Sequence, residues 1–285
     1  MIKVILLDYL LIALVTGVPI MLAALGETIV ERSGRVNLGV EGMMAFSAST
    51  SVLLASITGS PILGLIGGAL SGLLISCVYT LTVIGLKLDQ IVVGLVLSLA
   101  GLGLADLVAS LGYRLGPSIA YGSPLHVAVL ALTLTLPLAL WLLLYKTTWG
   151  VELRAIGYDE VTARERGLRV DSMRAVAVST GGLLAGLAGA YTALVLYGGK
   201  YFSGITSGWG WLAIGAVILG YWHPLGVILA AYTIGLLLAL KPFLAPLGLI
   251  GALTTTTPYI AVIIALSLTS IISRRRPHIK PPKAL

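Results

Sequence analysis

Nine apolar stretches, separated by short clusters of Gly, Pro and charged residues, make up most of the chain. Those runs and breaks predict helices near 4–25, 36–58, 61–85, 91–112, 124–145, 174–197, 209–220, 224–240 and 250–273, most of them near the ~20 residues needed to cross a hydrocarbon core. The expected fold is all-α: one polytopic transmembrane bundle of about nine spans over residues 1–285. The seventh stretch is too short for an ordinary crossing and predicts a tilted, broken or re-entrant helix. The first, Val4 to Leu25, invites comparison with a signal peptide. It carries Asp8 and lacks a clear small-residue cleavage site, so it reads as a retained membrane helix.

One polar island breaks the pattern. Residues 146–174, KTTWGVELRAIGYDEVTARERGLRVDSMR, hold six Lys/Arg and five Asp/Glu in a chain that is 58% hydrophobic and only 10% charged. Such a segment must meet water or another protein. Leu153, Ile156 and Val161 supply an apolar side to a short amphipathic helix, while Asp159, Glu160, Arg164, Glu165 and Arg166 present polar groups. Gly157 and Gly167 bracket that helix, and Asp159 is suited to cap its start. A solvated connector is the plainer reading, but a long connector with its own helical pattern favours docking.

A mean hydropathy of +1.04 leaves no case for a soluble core. The net charge of +7 comes from basic residues dispersed among the loops and the tail at 274–285, a distribution that suits anionic lipid headgroups rather than nucleic acid. With the N-terminus outside and all nine stretches crossing, 14 of the 18 Lys/Arg lie inside. Only Lys3, Arg114, Lys200 and Lys241 lie outside. This positive-inside bias places the island and the C-terminus in the cytoplasm of a cell-membrane protein. Cys77, the single cysteine, excludes an internal disulfide or a Cys-based metal site.

Small residues carry the packing signal. Gly64, Gly68 and Gly72 recur every four residues, as do Gly182 and Gly186, which lets helix backbones approach closely. A weak internal repeat aligns Pro61 and Gly72-Leu73-Leu74 with Pro224 and Gly235-Leu236-Leu237, in helices assigned to opposite senses.

Several polar or aromatic positions are candidates for a translocation path. Residues 31–44, ERSGRVNLGVEGMM, form a glycine-broken segment with Asn37 and Glu41. Broken backbone at membrane depth is tolerated where it faces protein or a water-filled cavity. The other reading is a cytoplasmic turn with Ser33 or Asn37 capping the next helix and Glu41 solvated in its first turn. Gln90 is a neutral donor and acceptor suited to an uncharged solute, or to an interhelical hydrogen bond. Trp209, Trp211, Tyr221 and Trp222 surround the short seventh stretch, with Tyr197 and Tyr201 before it. Aromatic rings there can stack on a nucleobase or sugar, although an interfacial belt accounts for most of them. Asp106 either marks a path or reaches outward toward Arg114.

Catalytic machinery is not expected. No G-x-x-x-x-G-K-[ST] occurs, since Gly199-Lys200 lacks the leading glycine and is followed by Tyr201. His126, His223 and His278 are scattered without metal partners, so neither metal nor cofactor is predicted.

Taken in order, ERSGRVNLGVEGMM, LDQIVVGL at 88–95, LRAIGYDEVTARERGLRV at 153–170 and GWGWLAIGAVILGYWHPLG at 208–226 resemble the permease subunits of ABC importers for nucleosides and simple sugars, the ribose-permease-like group. The resemblance covers most of the chain. It implies a permease dimer, homo or hetero, a cytoplasmic ABC ATPase that hydrolyses ATP, and an extracytoplasmic substrate-binding protein. It also implies that 153–170 is the coupling segment, where Arg154, Gly157, Asp159, Glu160, Ala163, Arg164 and Gly167 are expected at the ATPase contact; the path candidates remain Asn37, Glu41, Gln90, Trp209 and Trp211, from their own chemistry. This chain has Tyr158-Asp159-Glu160 where the family frequently carries an Asn-Pro pair, which bears on the local cap. The competing reading is an ion-coupled secondary transporter with Glu41 or Asp106 as its proton site.

Overall fold

The computed structural model describes residues 2–244, 248 and 256–273. The start of the ninth predicted helix (250–255) and the basic tail (274–285) lie outside the described residues. Among the described residues the chain is helical, and its one β contact is an isolated antiparallel bridge between Leu115 and Lys200.

The long helices are α1 (Ile2–Arg32), α2 (Val40–Thr58), α3 (Pro61–Tyr79), α4 (Gln90–Ser110), α5 (Pro124–Lys146), α8 (Val170–Tyr191) and α10 (Pro224–Ala239). The polar island forms α6 (Thr148–Tyr158) and α7 (Glu160–Glu165). Helix α9 is Trp209–Leu219, α11 is Lys241–Leu244, and α12 is Thr257–Ser273. Wider π-helical turns extend α3 through Thr80–Gly85 and α8 through Thr192–Leu196.

Among the described residues, seven helical stretches are long and apolar enough to cross a membrane, where the hydrophobic pattern predicts nine. The chain is thus a multi-pass membrane protein. The difference lies in α9 and α12. With 11 residues, α9 extends only about 16 Å, roughly half a hydrocarbon core. It is entered through irregular backbone in which Gly198, Gly199, Gly204, Ser207 and Gly208 all take positive φ, so the expected broken helix is present. The described part of α12 has 17 residues, whereas α10 continues through α11 to give a 21-residue span, Pro224–Leu244.

Helix α1 runs seven residues past its predicted end at Leu25, through Glu27, Glu31 and Arg32. The charges were expected to stop it, but each finds a partner. A Glu27 carboxylate oxygen accepts the Asn37 amide at 2.6 Å, Glu31 accepts the Trp222 indole N–H, and Arg32 donates to the Trp222 carbonyl at 2.9 Å and the Tyr145 hydroxyl at 3.0 Å. The helix stops where Gly34 adopts a φ of 80°.

The glycine rows pack as expected. A Cβ at Gly72 would stand 2.6 Å from the Gly186 Cα, and one at Gly186 would stand 2.6 Å from the Gly68 carbonyl oxygen, so α3 and α8 touch backbone to backbone. The repeat partners behave alike. Pro61 and Pro224 both open helices, and a Cβ at Gly235 would lie 2.7 Å from the Gly17 Cα, joining α10 to α1. Helices α2 and α8 lie at the centre, whereas α4 and α5 turn Val92, Val96, Leu99, Leu107, Leu132 and Leu138 outward.

Candidate coupling face and transport cavity

At the polar island, Thr147 caps α6 by accepting the Gly150 amide at 3.1 Å. Leu153 and Ile156 are fully buried, and a Cβ at Gly157 would collide with the Arg32 carbonyl oxygen. Asp159 ends α6 and caps α7, accepting the Val161 and Thr162 amides at 3.2 and 3.4 Å. The island is therefore two helices hinged at Asp159. Gly157 sits in the last turn of α6 and contacts α1; Gly167, with φ 81°, follows α7. Val161 does not join the apolar side: it is 66% exposed beside the exposed Tyr158, and Ala163 is the residue turned inward.

Glu160 gathers the charge. One oxygen accepts from Arg164 at 2.9 Å, the other from Arg174 at 2.7 Å, and Arg35 stands 3.9 Å away. Burial pushes the Glu160 carboxyl up, but the hydrogen bonds from Arg174 and Arg164 outweigh it and hold the group below its ordinary range. Arg164 also pairs with Asp171 at 2.7 Å; those bonds, with Glu160, push its guanidinium up. Arg154 stacks over Tyr145 at 4.5 Å. Arg35, Gln90, Glu160 and Arg174, together with Tyr158 and Val161, line an open cavity of about 410 Å³ at this face.

Arg174 is 3% exposed and donates through Nε to the Ser33 carbonyl at 3.0 Å. From there the segment 33–39 is held along its length. The Val36 amide donates to Gln90 at 3.3 Å, the Val36 carbonyl accepts the Tyr79 hydroxyl at 2.6 Å, and the Asn37 side chain accepts the Gly39 amide at 2.9 Å. Gln90 thus ties the start of α4 to the loop between α1 and α2, beside the coupling residues. Asn37 is buried in this turn.

Glu41 is not solvated. It is 4% exposed and accepts the Thr206 hydroxyl at 2.6 Å, the Gly208 amide at 2.9 Å and the Gly210 amide at 2.7 Å. A carboxylate from α2 therefore satisfies the amides that open α9 and complements its positive end. Trp209, in the same turn, is buried. With Ile12, Thr16, Tyr121, Tyr197, Ser207 and Tyr259 it borders an open cavity of about 440 Å³. Trp211 is 38% exposed and does not border it. Trp222 is buried against Glu31 rather than placed in an outer belt. Asp106 accepts hydroxyls from Tyr201 and Ser203, each at 3.0 Å, while the Arg114 side chain turns to the Ala109 carbonyl.

Sequence reasoning missed Arg174, counted only as a basic charge, and the pair Glu27 and Glu31. Ionisable residues inside or at the start of apolar runs were the available signal.

The family described as branched-chain amino acid transport system / permease component matches residues 9–268, nearly the whole chain. The chain belongs to that family. Guanosine ABC transporter permease protein NupQ of Bacillus subtilis is 30% identical over 292 residues, covering 89% of each chain. Nucleoside ABC transporter permease protein NupC of Lactococcus lactis is 30% identical over 285 residues, covering 90% of each. TsgC13 of Haloferax volcanii, a glucose ABC transporter permease by provisional name, is 34% identical over 241 residues, 78% of this chain and 73% of its own. No solved structure matches. As a member of this permease family, the chain is the membrane component of an ABC transport system and not itself an enzyme.

Proposed function

We propose that this permease carries nucleosides or related simple sugars inward, in an importer driven by a separate cytoplasmic ATPase. The observation that carries the solute class is the cavity of about 440 Å³, whose lining includes the aromatic residues Tyr121, Tyr197, Trp209 and Tyr259 and the hydroxyl residues Ser207 and Thr16. Flat aromatic faces stack on a base or a sugar face, and hydroxyls exchange hydrogen bonds with an uncharged polar solute. The guanosine and nucleoside permeases among its relatives support the same class. The exposed Tyr158 and Val161, ringed by the charges of α7, form the ATPase contact, with Arg154, Gly157, Asp159, Glu160, Ala163, Arg164 and Gly167 as its frame. A second permease subunit, homo or hetero, and an extracytoplasmic binding protein complete the assembly. The N-terminus lies outside, and the island and tail lie in the cytoplasm, as the positive-inside bias favours.

The proton-coupled alternative loses ground because Glu41 already accepts three hydrogen bonds and Asp106 two. Proteoliposomes holding the permease, ATPase and binding protein should take up labelled nucleoside with ATP after an uncoupler has collapsed the proton gradient, and Asp106→Asn should keep substantial uptake. Uptake that stops with the gradient despite ATP would favour the secondary transporter. In a Cys77→Ala background, a cysteine at 159 should label only from the cytoplasm and one at 118 only from outside. The reverse would overturn the orientation and the docking assignment with it.

A further inference from the structure

The polar island and the aromatic cavity are joined by one strap, residues 33–41. At one end Arg174 uses two edges of its guanidinium, Nε on the Ser33 carbonyl at 3.0 Å and a terminal nitrogen on Glu160 of α7 at 2.7 Å. Beside it, Gly157 lies against Arg32 and Gly34 with no room for a methyl group. At the other end Glu41 grips the Thr206 hydroxyl and the Gly208 and Gly210 amides. Ser207 and Trp209, the residues between those contacts, border the cavity. Between the ends, Gln90, Tyr79 and Glu27 hold the backbone of Val36 and Asn37.

The geometry points to Arg174 and Glu41 as the positioning residues through which a displacement of α7 reaches the start of α9 and the cavity wall. This rests on the reading that the island docks an ATPase. A strap transmits displacement only if both attachments are stiff. Arg174 is 3% exposed and its planar fork serves two acceptors at fixed angles, which a lysine ammonium cannot reproduce. Glu41 holds three donors of another element in a buried setting, where such bonds resist exchange with water. Arg174 is 3% exposed but borders the open cavity at the island, so ATPase retention is read alongside the labelling response; Glu41 is buried against the start of α9.

The test uses the full complex, with the reporter pair Ser207→Cys and Cys77→Ala, and compares maleimide labelling of position 207 without nucleotide and with ATP plus vanadate. The nucleotide should change the labelling rate by about fivefold or more, the range of an ordinary coupling energy. Arg174→Gln and Glu41→Gln should each shrink that change below about twofold while the ATPase still co-purifies, and Arg174→Lys should recover part of it. A wild-type-sized response in Arg174→Gln would overturn the strap alone. If Arg174→Gln does not fold, Glu160→Gln, on the more exposed partner, should also blunt the response, and an undiminished one overturns the proposal. Loss of ATPase binding in Arg174→Gln would make it a docking residue and overturn the strap equally. A reporter complex that neither holds the ATPase nor responds to nucleotide would defeat the docking reading and the strap together.

Discussion

Glu160 and Glu41 each occupy the first turn of a helix, and their surroundings could hardly differ more. Glu160 is partly exposed and anchored by arginines, one of them four residues away on its own helix. Glu41 is buried and anchored by uncharged donors 165 to 169 residues away. The Glu160 carboxylate stays in partial contact with water, and counter-charges on three arginines carry it with α7. One sealed among amides is a fixed joint, because parting it strands buried donors. The island is built to be pushed and the junction to hold.

That contrast is broken most severely at Gly157. Gly157→Pro should reduce ATP-driven uptake to background while membrane insertion survives, since the ring collides with the Arg32 carbonyl and restricts Ile156 away from helical geometry. Uptake at the wild-type rate would remove Gly157 from the coupling path. The junction comes next. Glu41→Leu strands the Gly208 and Gly210 amides, at about 1–3 kcal/mol for each buried donor, so thermal unfolding in detergent should show a loss of about 2–6 kcal/mol. An unchanged midpoint would mean that α9 does not depend on this joint.

A finer comparison sets Trp209 against Trp211. Losing a stacking face costs about 1–3 kcal/mol, so Trp209→Ala should raise the half-saturating nucleoside concentration by roughly tenfold, with Trp211→Ala close to wild type. Equal effects would detach the cavity from substrate recognition. The smallest effect concerns protons. The folded-state pKa of Glu160 is depressed, so its ion pairs contribute stability above its ordinary pKa near 4.5 and lose it as pH falls through the lowered value. The stability gap between wild type and Glu160→Gln should be fully present at pH 7, small because the site is partly exposed, and vanish in acid. A gap that widened in acid would reverse the sign.

The two regions also differ in what could be read from residues alone. The island was legible because water-loving residues in an apolar chain announce their own location, and Asp159 and Gly167 obey local capping rules. Val161 was misread because α6 and α7 are separate helices, so the period that buries Leu153 and Ile156 does not continue past Asp159. One of the two readings of Glu41 set it in water, on the evidence of its position at a helix start. That position is real, but the helix that needs its charge is α9, not its own.

The sequence by itself determined the membrane setting, the all-helical bundle, the glycine faces and the polar island, since hydrophobic length, helical period and small-residue spacing act over a few turns. Only the tertiary structure decided that α1 continues through Glu27, Glu31 and Arg32, that Glu41 of α2 opens the short α9, and that Arg174 ties Ser33 to Glu160. The physical reason is common to all three. A charge in an apolar chain costs too much to bury alone, and whether it ends a helix or locks two elements together depends on partners that folding brings from far along the chain.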